Sequence, residues 1–176
     1  MRLFVAFALP DEVARSLMAL QAGVPGANWR TREQLHLTLR FIGEVDGRDA
    51  AAIDDALAAI SAPAFSLELK GVGEFGGRHP HALWVGVRGN EAILHLQRKI
   101  ESALQRVGLE PEGRKFTPHV TLAKLKGTPR ERVIDFLTHH ALYSCGPFPT
   151  EAFILYSSQL SPNGSLYRAE KAYRLR

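Results

Sequence analysis

Two short stretches of this 176-residue chain carry side chains able to do chemistry. His36-Leu37-Thr38-Leu39 recurs 83 positions later as His119-Val120-Thr121-Leu122. In each, a histidine and a threonine stand two apart among β-formers. Side chains two apart on a strand share a face, about 7 Å apart at a rise of roughly 3.3 Å per residue, so each copy offers an imidazole beside a hydroxyl. Two opposed imidazoles suit in-line displacement at phosphorus, where one takes a proton from the attacking group and the other gives one to the departing oxygen. An unperturbed pKa near 6.5 lets one ring be neutral and the other protonated around neutral pH, and each role is typically worth about 10²–10⁴ in rate. The hydroxyls would hold nonbridging oxygens as negative charge develops. Such chemistry requires no metal. One His-x-Thr alone reads as a partly buried histidine bonded to a neighbour; the duplication favours the chemical reading.

The elements that must position these groups follow from periodicity. In the first copy Leu35, Leu37, Leu39 and Phe41 share one parity and His36, Thr38 and Arg40 the other; in the second, Val120 and Leu122 oppose His119 and Thr121. The apolar rows are natural core faces, leaving the polar rows to look into a cleft. Around them the chain reads as a strand from Arg2 to Leu9, a helix opening at Pro10-Asp11-Glu12, and a loop at Val24 to Asn28. A helix from Asp49 to Ile60 follows, then strands at Phe65 to Lys70 and Ala82 to Val87, separated by a glycine-rich mobile connection from Gly71 to His81. Asn90 caps a long helix that stops at Gly108. Thr128-Pro129-Arg130-Glu131 reads as a capping box for a helix to about His140, and Phe153 to Gln159 with Leu166 to Tyr173 as a terminal hairpin. The alternation predicts a duplicated, bilobal α+β fold: two mostly antiparallel sheets face a central cleft, with helices packed outside. No linker composition divides residues 1–176, so one bilobal domain with one motif per lobe is expected.

At these residues the chain resembles the 2H phosphoesterase superfamily, defined by two His-x-Thr/Ser motifs, and more closely its 2′-5′ RNA ligase branch of RNA 2′,3′-cyclic phosphodiesterases. The likeness runs through Arg2-Leu3-Phe4-Val5-Ala6, Trp29, Leu35 to Gly43, Phe116-Thr117-Pro118-His119-Val120-Thr121-Leu122 and Leu155-Tyr156-Ser157-Ser158. The resemblance implies hydrolysis of a terminal 2′,3′-cyclic phosphate on RNA to a 2′-phosphate, with reversible, ATP-independent 2′-5′ joining of tRNA halves as a side activity. It implies His36 as proton donor, His119 as proton acceptor, and Thr38 and Thr121 as phosphate ligands, with no cofactor. Spacing alone leaves the two proton-transfer directions open. The family arginine is replaced by Lys124, which keeps the charge and loses the bidentate fork. Strand parity puts Lys124 on the core side, so a role in the cleft requires a bulge or the strand's end.

Further candidates each have a plain structural alternative. Arg40 shares the His36 parity and either touches phosphate or is solvated or ion-paired. Phe75, Trp84 and Tyr156 either stack on a base or belong to the core. Arg30, Arg32, Arg78, Arg114, Lys115 and Lys126 either form a basic rim along an RNA backbone or are solvated. His79-Pro80-His81 and His139-His140 have no cysteine or carboxylate at metal-ligand spacing, and adjacent helical residues diverge, so no metal site is expected.

Composition narrows the setting. A net charge of +4 favours anionic partners, and 45% hydrophobic content suits a globular domain. The single cysteine, Cys145, excludes an internal disulfide and fits a reducing compartment. No stretch approaches the roughly 18 apolar residues of a membrane span. A monomeric cytoplasmic protein with RNA as partner is expected. Two other readings stay open: a noncatalytic RNA- or nucleotide-binding module, and a phosphodiesterase for a small cyclic nucleotide.

Overall fold

A computed structural model describes all 176 residues, Met1–Arg176. The elements in chain order are β1 (Arg2–Ala8), α1 (Asp11–Met18), β2 (Ala27–Trp29), a 3-10 turn (Arg32–Gln34), β3 (His36–Glu44), α2 (Gly47–Ala58), β4 (Phe65–Phe75), β5 (Ala82–Val87), α3 (Glu91–Arg106), β6 (His119–Leu125), α4 (Arg130–His139), β7 (Ser144–Thr150), β8 (Ala152–Ser161) and β9 (Gly164–Arg174). The fold is α+β, and every strand pairing is antiparallel.

The two expected sheets are stitched into one. Strand order is β7-β4-β5-β6-β3-β1-β8-β9, with β2 also on β6, and the halves join through a single register pair, Leu37 opposite Val120. Each motif strand thus sits at the seam, flanked outward by three strands of its own half. Because β3 and β6 run in opposite directions and meet only at their first residues, they diverge immediately, and their histidines begin the divergence.

The helices interlock the halves. The connection from β1 to β3 carries α1, which packs on β7 of the other half, while the connection from β5 to β6 carries α3, which packs on β3 and against α2. One cluster of 34 buried apolar residues, including Phe7, Leu37, Ile53, Leu83, Ile100, Val120 and Phe153, runs beneath the whole sheet. The long helix behaves as its pattern predicts: Ile93, Leu96, Ile100 and Leu104 are buried, and the Asn90 side chain accepts the backbone N–H groups of Ala92 and Ile93.

Two local expectations are corrected, and one strand is added. Half of the expected connection after Lys70 is strand, leaving 76–81 as the turn, since β4 continues to Phe75 and pairs with β5 from Val72 to Phe75. Glycine is needed there by packing: a Cβ on Gly73 would lie 2.1 Å from the Trp84 indole. The segment Thr128 to Glu131 forms no capping box, because the Thr128 hydroxyl donates to the Pro25 carbonyl at 2.7 Å and Pro129 becomes the cap without a side-chain bond. The strand β7 had no signal in its Ser-Cys-Gly-Pro-Phe-Pro-Thr run; its two prolines are tolerated because it forms the sheet's edge.

Candidate active site

Leu37 and Val120 are fully buried and directly opposite one another, so the residues alternating with them project from the other face. That face carries His36 and Thr38 from β3 and His119 and Thr121 from β6, all partly exposed. His36 and His119 each precede the paired residue, which makes them diagonal neighbours across the seam, with Cα atoms roughly 7–8 Å apart by antiparallel geometry. Small residues flank both rings: Ala8 is opposite His36, and Gly86 is opposite His119.

The histidines are held alike. His36 Nδ1 donates to the Gln34 carbonyl at 2.7 Å, and His119 Nδ1 donates to the Thr117 carbonyl at 2.7 Å. A carbonyl can only accept, so each Nδ1 carries its proton and each neutral ring presents an unprotonated Nε2. His36 Nε2 receives the Thr38 hydroxyl at 2.9 Å; His119 Nε2 has no partner within the chain. Burial lowers the His36 pKa to about 4, the Gln34 carbonyl opposes that shift, and positive charge on His119 adds to it. The two rings therefore sense each other electrostatically.

Each motif strand bulges at the residue after its threonine. Val5 pairs with Arg40 and Ala6 with Thr38, leaving Leu39 as the extra residue; Leu83 pairs with Ala123 and Trp84 with Thr121, leaving Leu122 extra. One extra residue inverts the alternation beyond it. In β6 this brings Lys124 out to the exposed, histidine-bearing face, as its proposed role needed. In β3 it does the opposite to Arg40, which does not share the His36 face: it is 8% exposed and paired with Glu101 on α3. Phe41, expected in the core, is instead 55% exposed on the histidine face.

Aromatic rings form the rest of the floor. On the His119 side, Phe75 meets the imidazole edge-on at 5.0 Å and Trp84 lies 6.0 Å away, its indole accommodated by Gly73. On the His36 side, Phe4 lies at 4.9 Å, Tyr167 at 5.2 Å and Tyr156 at 6.4 Å from the ring, and Phe4 stacks with Tyr156. Phe75, Trp84 and Tyr156 thus lie beside the two histidines, half-buried. Phe4, Phe41 and Tyr167 were missed by sequence reasoning. Phe4 lies two residues before Ala6 on a strand that reads as uniformly apolar, so nothing in its spacing marks it, and Tyr167 belongs to a hairpin whose packing on His36 is long-range.

The basic rim is uneven. Arg32 is held by Asp11 at 2.6 Å and Arg114 by Glu112, whereas Arg78, Lys115 and Lys126 are exposed without a carboxylate partner. No group of three or more His, Cys, Asp or Glu side chains is placed to hold a metal ion. His139 and His140 do converge, with ring centroids 4.7 Å apart, because His140 has already left the helix.

The profile of the 2′-5′ RNA ligase superfamily matches residues 9–156. Proteins named RNA 2′,3′-cyclic phosphodiesterase are similar over most of their length: that of Thermotoga maritima is 30% identical across 96% of this chain and 92% of its own, and that of Thermus thermophilus is 32% identical across 100% and 91%. The one from Aeropyrum pernix is 36% identical over 77% of this chain and 79% of its own. Among solved structures, E. coli LigT complexed with 3′-AMP superposes with a TM-score of 0.80 at 25% identity, covering 99% of this chain and 97% of LigT.

Proposed function

Since this chain belongs to the 2′-5′ RNA ligase superfamily, we propose that it is a hydrolase of RNA 2′,3′-cyclic phosphate ends, acting through His36 and His119 without a metal. The observation that carries this reading is the matched pair of imidazoles on one face of the seam, each pinned through Nδ1 so that proton exchange falls to Nε2, which meets the Thr38 hydroxyl on His36 and no protein group on His119. Water attacks phosphorus, one Nε2 takes its proton, the P–O3′ bond breaks, and the other Nε2 protonates the departing 3′ oxygen, leaving a 2′-phosphate. Thr38, Thr121 and Lys124 bind the nonbridging oxygens, and Phe75, Trp84 and Tyr156 supply base-stacking surfaces. A 5′-hydroxyl in place of water forms a 2′-5′ linkage with no ATP, since the cyclic phosphate already holds the energy of the new bond.

By family likeness His36 is the donor and His119 the acceptor. A donor must enter the reaction protonated, and the cleft keeps His36 neutral until an anion arrives; a bound cyclic phosphate supplies the countercharge that raises its pKa. The same burial favours the reversed roles as a second reading, in which the neutral His36 ring is the base.

The test is end-group analysis of a cyclic-phosphate oligonucleotide after incubation with the protein in chelator. A 2′-phosphate product, lost in folded His36→Ala and His119→Ala variants, is the expected result. RNA binding with no turnover would leave a binding module, and turnover of mononucleotides alone would move the substrate to a small cyclic nucleotide.

A further inference from the structure

Arg40 lies outside the cleft yet links the strand that carries His36 to the segment that delivers His119, and we infer that it is a positioning residue whose pairing with Glu101 sets the spacing of the two rings. Its kinetic consequence rests on the phosphodiesterase reading above; its structural consequence does not.

The guanidinium is engaged on every side. Nε donates to Glu101 Oε2 at 2.5 Å, one terminal nitrogen donates to Glu101 Oε1 at 3.4 Å and to the Glu110 carbonyl at 2.5 Å, and the other donates to the Phe41 carbonyl. Glu101 accepts in turn from the Glu112 backbone N–H and from Gln105 Nε2, each at 2.9 Å. Burial opposes the Glu101 carboxylate, but the hydrogen bonds from Arg40, Glu112 and Gln105 outweigh it and hold its pKa at about 2. One turn earlier on α3, the buried Gln97 side chain donates to the carbonyl of Leu39, the extra residue of the β3 bulge, at 3.4 Å. Helix α3 therefore grips β3 at the bulge, next to Thr38.

The other end of this network matters for His119. Residues 107–118 form no helix or strand, and they lead directly into His119. Arg40 and Glu101 fix that segment at Glu110 and Glu112, and its last part supplies the Thr117 carbonyl that orients the His119 ring. A chain without regular hydrogen bonding holds a ring accurately only where something anchors it, and misplacement of a reacting group by about 1 Å costs on the order of a hundredfold in rate. The second motif has no equivalent arginine, because Ala123 follows its bulge; there the Leu122 carbonyl is met by the Arg30 backbone N–H and by Gln21 Nε2.

Removing one partner of a buried ion pair leaves the other charge unpaired, so stability and positioning are separated by replacing both with apolar residues of similar shape. The variant is Arg40→Met/Glu101→Leu, compared with wild type by thermal melt, by nitrogen-proton correlation of the histidine rings, and by steady-state hydrolysis of a 2′,3′-cyclic nucleotide. The expected result is a cooperative fold, a kcat lowered about tenfold or more with KM changed less than about threefold, and a shifted or exchange-broadened His119 Nδ1–H. A folded double variant with wild-type kcat and an unchanged His119 resonance overturns the inference. Arg40→Lys keeps the charge without the fork and carries the same two outcomes if the double variant does not fold. Should wild type itself turn over no cyclic phosphate, the reaction reading fails separately, and the His119 resonance alone decides: a shift supports the positioning role and its absence removes it.

Discussion

Phe41 and Lys124 are counterparts in the two halves of the sheet. Each stands five residues after its histidine and three after its threonine, and each reaches the histidine-bearing face because a leucine bulge inverts the strand just before it. The backbone is duplicated but the chemistry is not: one half offers an exposed aromatic ring at this position and the other an exposed cation. Of the two, only Lys124 carries a charge at this position.

With Lys124 binding phosphate as proposed, its replacement is expected to weaken substrate binding without unfolding the protein. Lys124→Ala is expected to raise KM for a cyclic-phosphate oligonucleotide about tenfold, to reduce the slope of log affinity against log salt by about one, and to leave the melting temperature near wild type, since the side chain is exposed. Lys124→Arg is expected to match or improve on wild-type KM through a bidentate contact. Steady-state kinetics at several salt concentrations measures both; an unchanged KM and salt slope in the alanine variant would place the phosphate elsewhere.

The wall beside His119 is equally open to test. Gly73→Ala puts a methyl group 2.1 Å from Trp84, and moving that indole is expected to cost about 1–3 kcal/mol in stability and to disturb the surface near His119. Gly47, at the start of α2, has nothing within 4 Å of an added Cβ, so Gly47→Ala serves as the matched control with little effect. Denaturant unfolding followed by tryptophan fluorescence distinguishes them. Equal stability of the two variants would contradict the packing account.

What could be read from the chain was whatever depends on local pattern. The histidine-threonine pairs, the long helix capped by Asn90 and the terminal hairpin follow from spacing and capping chemistry, and the structure bears them out. Strict alternation puts Arg40 on the histidine face and Phe41 in the core, and it fails because β3 takes in Leu39 as an extra residue; Lys124 needed a bulge to reach the histidine face, and Leu122 in β6 is that bulge. No single-strand pattern reveals these bulges, because the carbonyl of each extra leucine is met from elsewhere in the chain: that of Leu39 by Gln97 on α3, and that of Leu122 by the Arg30 backbone N–H and Gln21. Thr128 misled for a similar reason: its hydroxyl could cap the helix locally, but the Pro25 carbonyl, brought there by the fold, takes it instead.

Acid sensitivity should report on His36. Its pKa is about 4 in the folded protein and 6.5 by its ordinary value, so below pH 6.5 the unfolded chain binds the proton more readily. The stability involved is fully present above pH 6.5, is lost progressively as pH falls toward 4, and amounts to roughly 1–3 kcal/mol after allowing for partial exposure. His36→Gln removes this titration, so its stability should fall less than wild type's between pH 6.5 and 4.5. Urea unfolding at several pH values measures the difference; parallel curves for the two proteins would show that His36 titrates normally.

The direction of proton transfer is decided by a substrate that needs only one of the two catalysts. A phosphodiester with a p-nitrophenolate leaving group departs without being protonated, so losing the general acid matters little for it, whereas losing the general base still slows attack by water. If His36 is the donor, His36→Ala is expected to retain most of its activity on this substrate while losing about 10²–10⁴ on a 2′,3′-cyclic phosphate, and His119→Ala to lose activity on both. The reversed assignment, favoured by a ring that burial keeps neutral, interchanges the two variants. Equal losses on both substrates in both variants would mean that the histidines do not divide the work as acid and base, and the matched Nδ1 contacts with Gln34 and Thr117 would then serve to position two phosphate-binding rings.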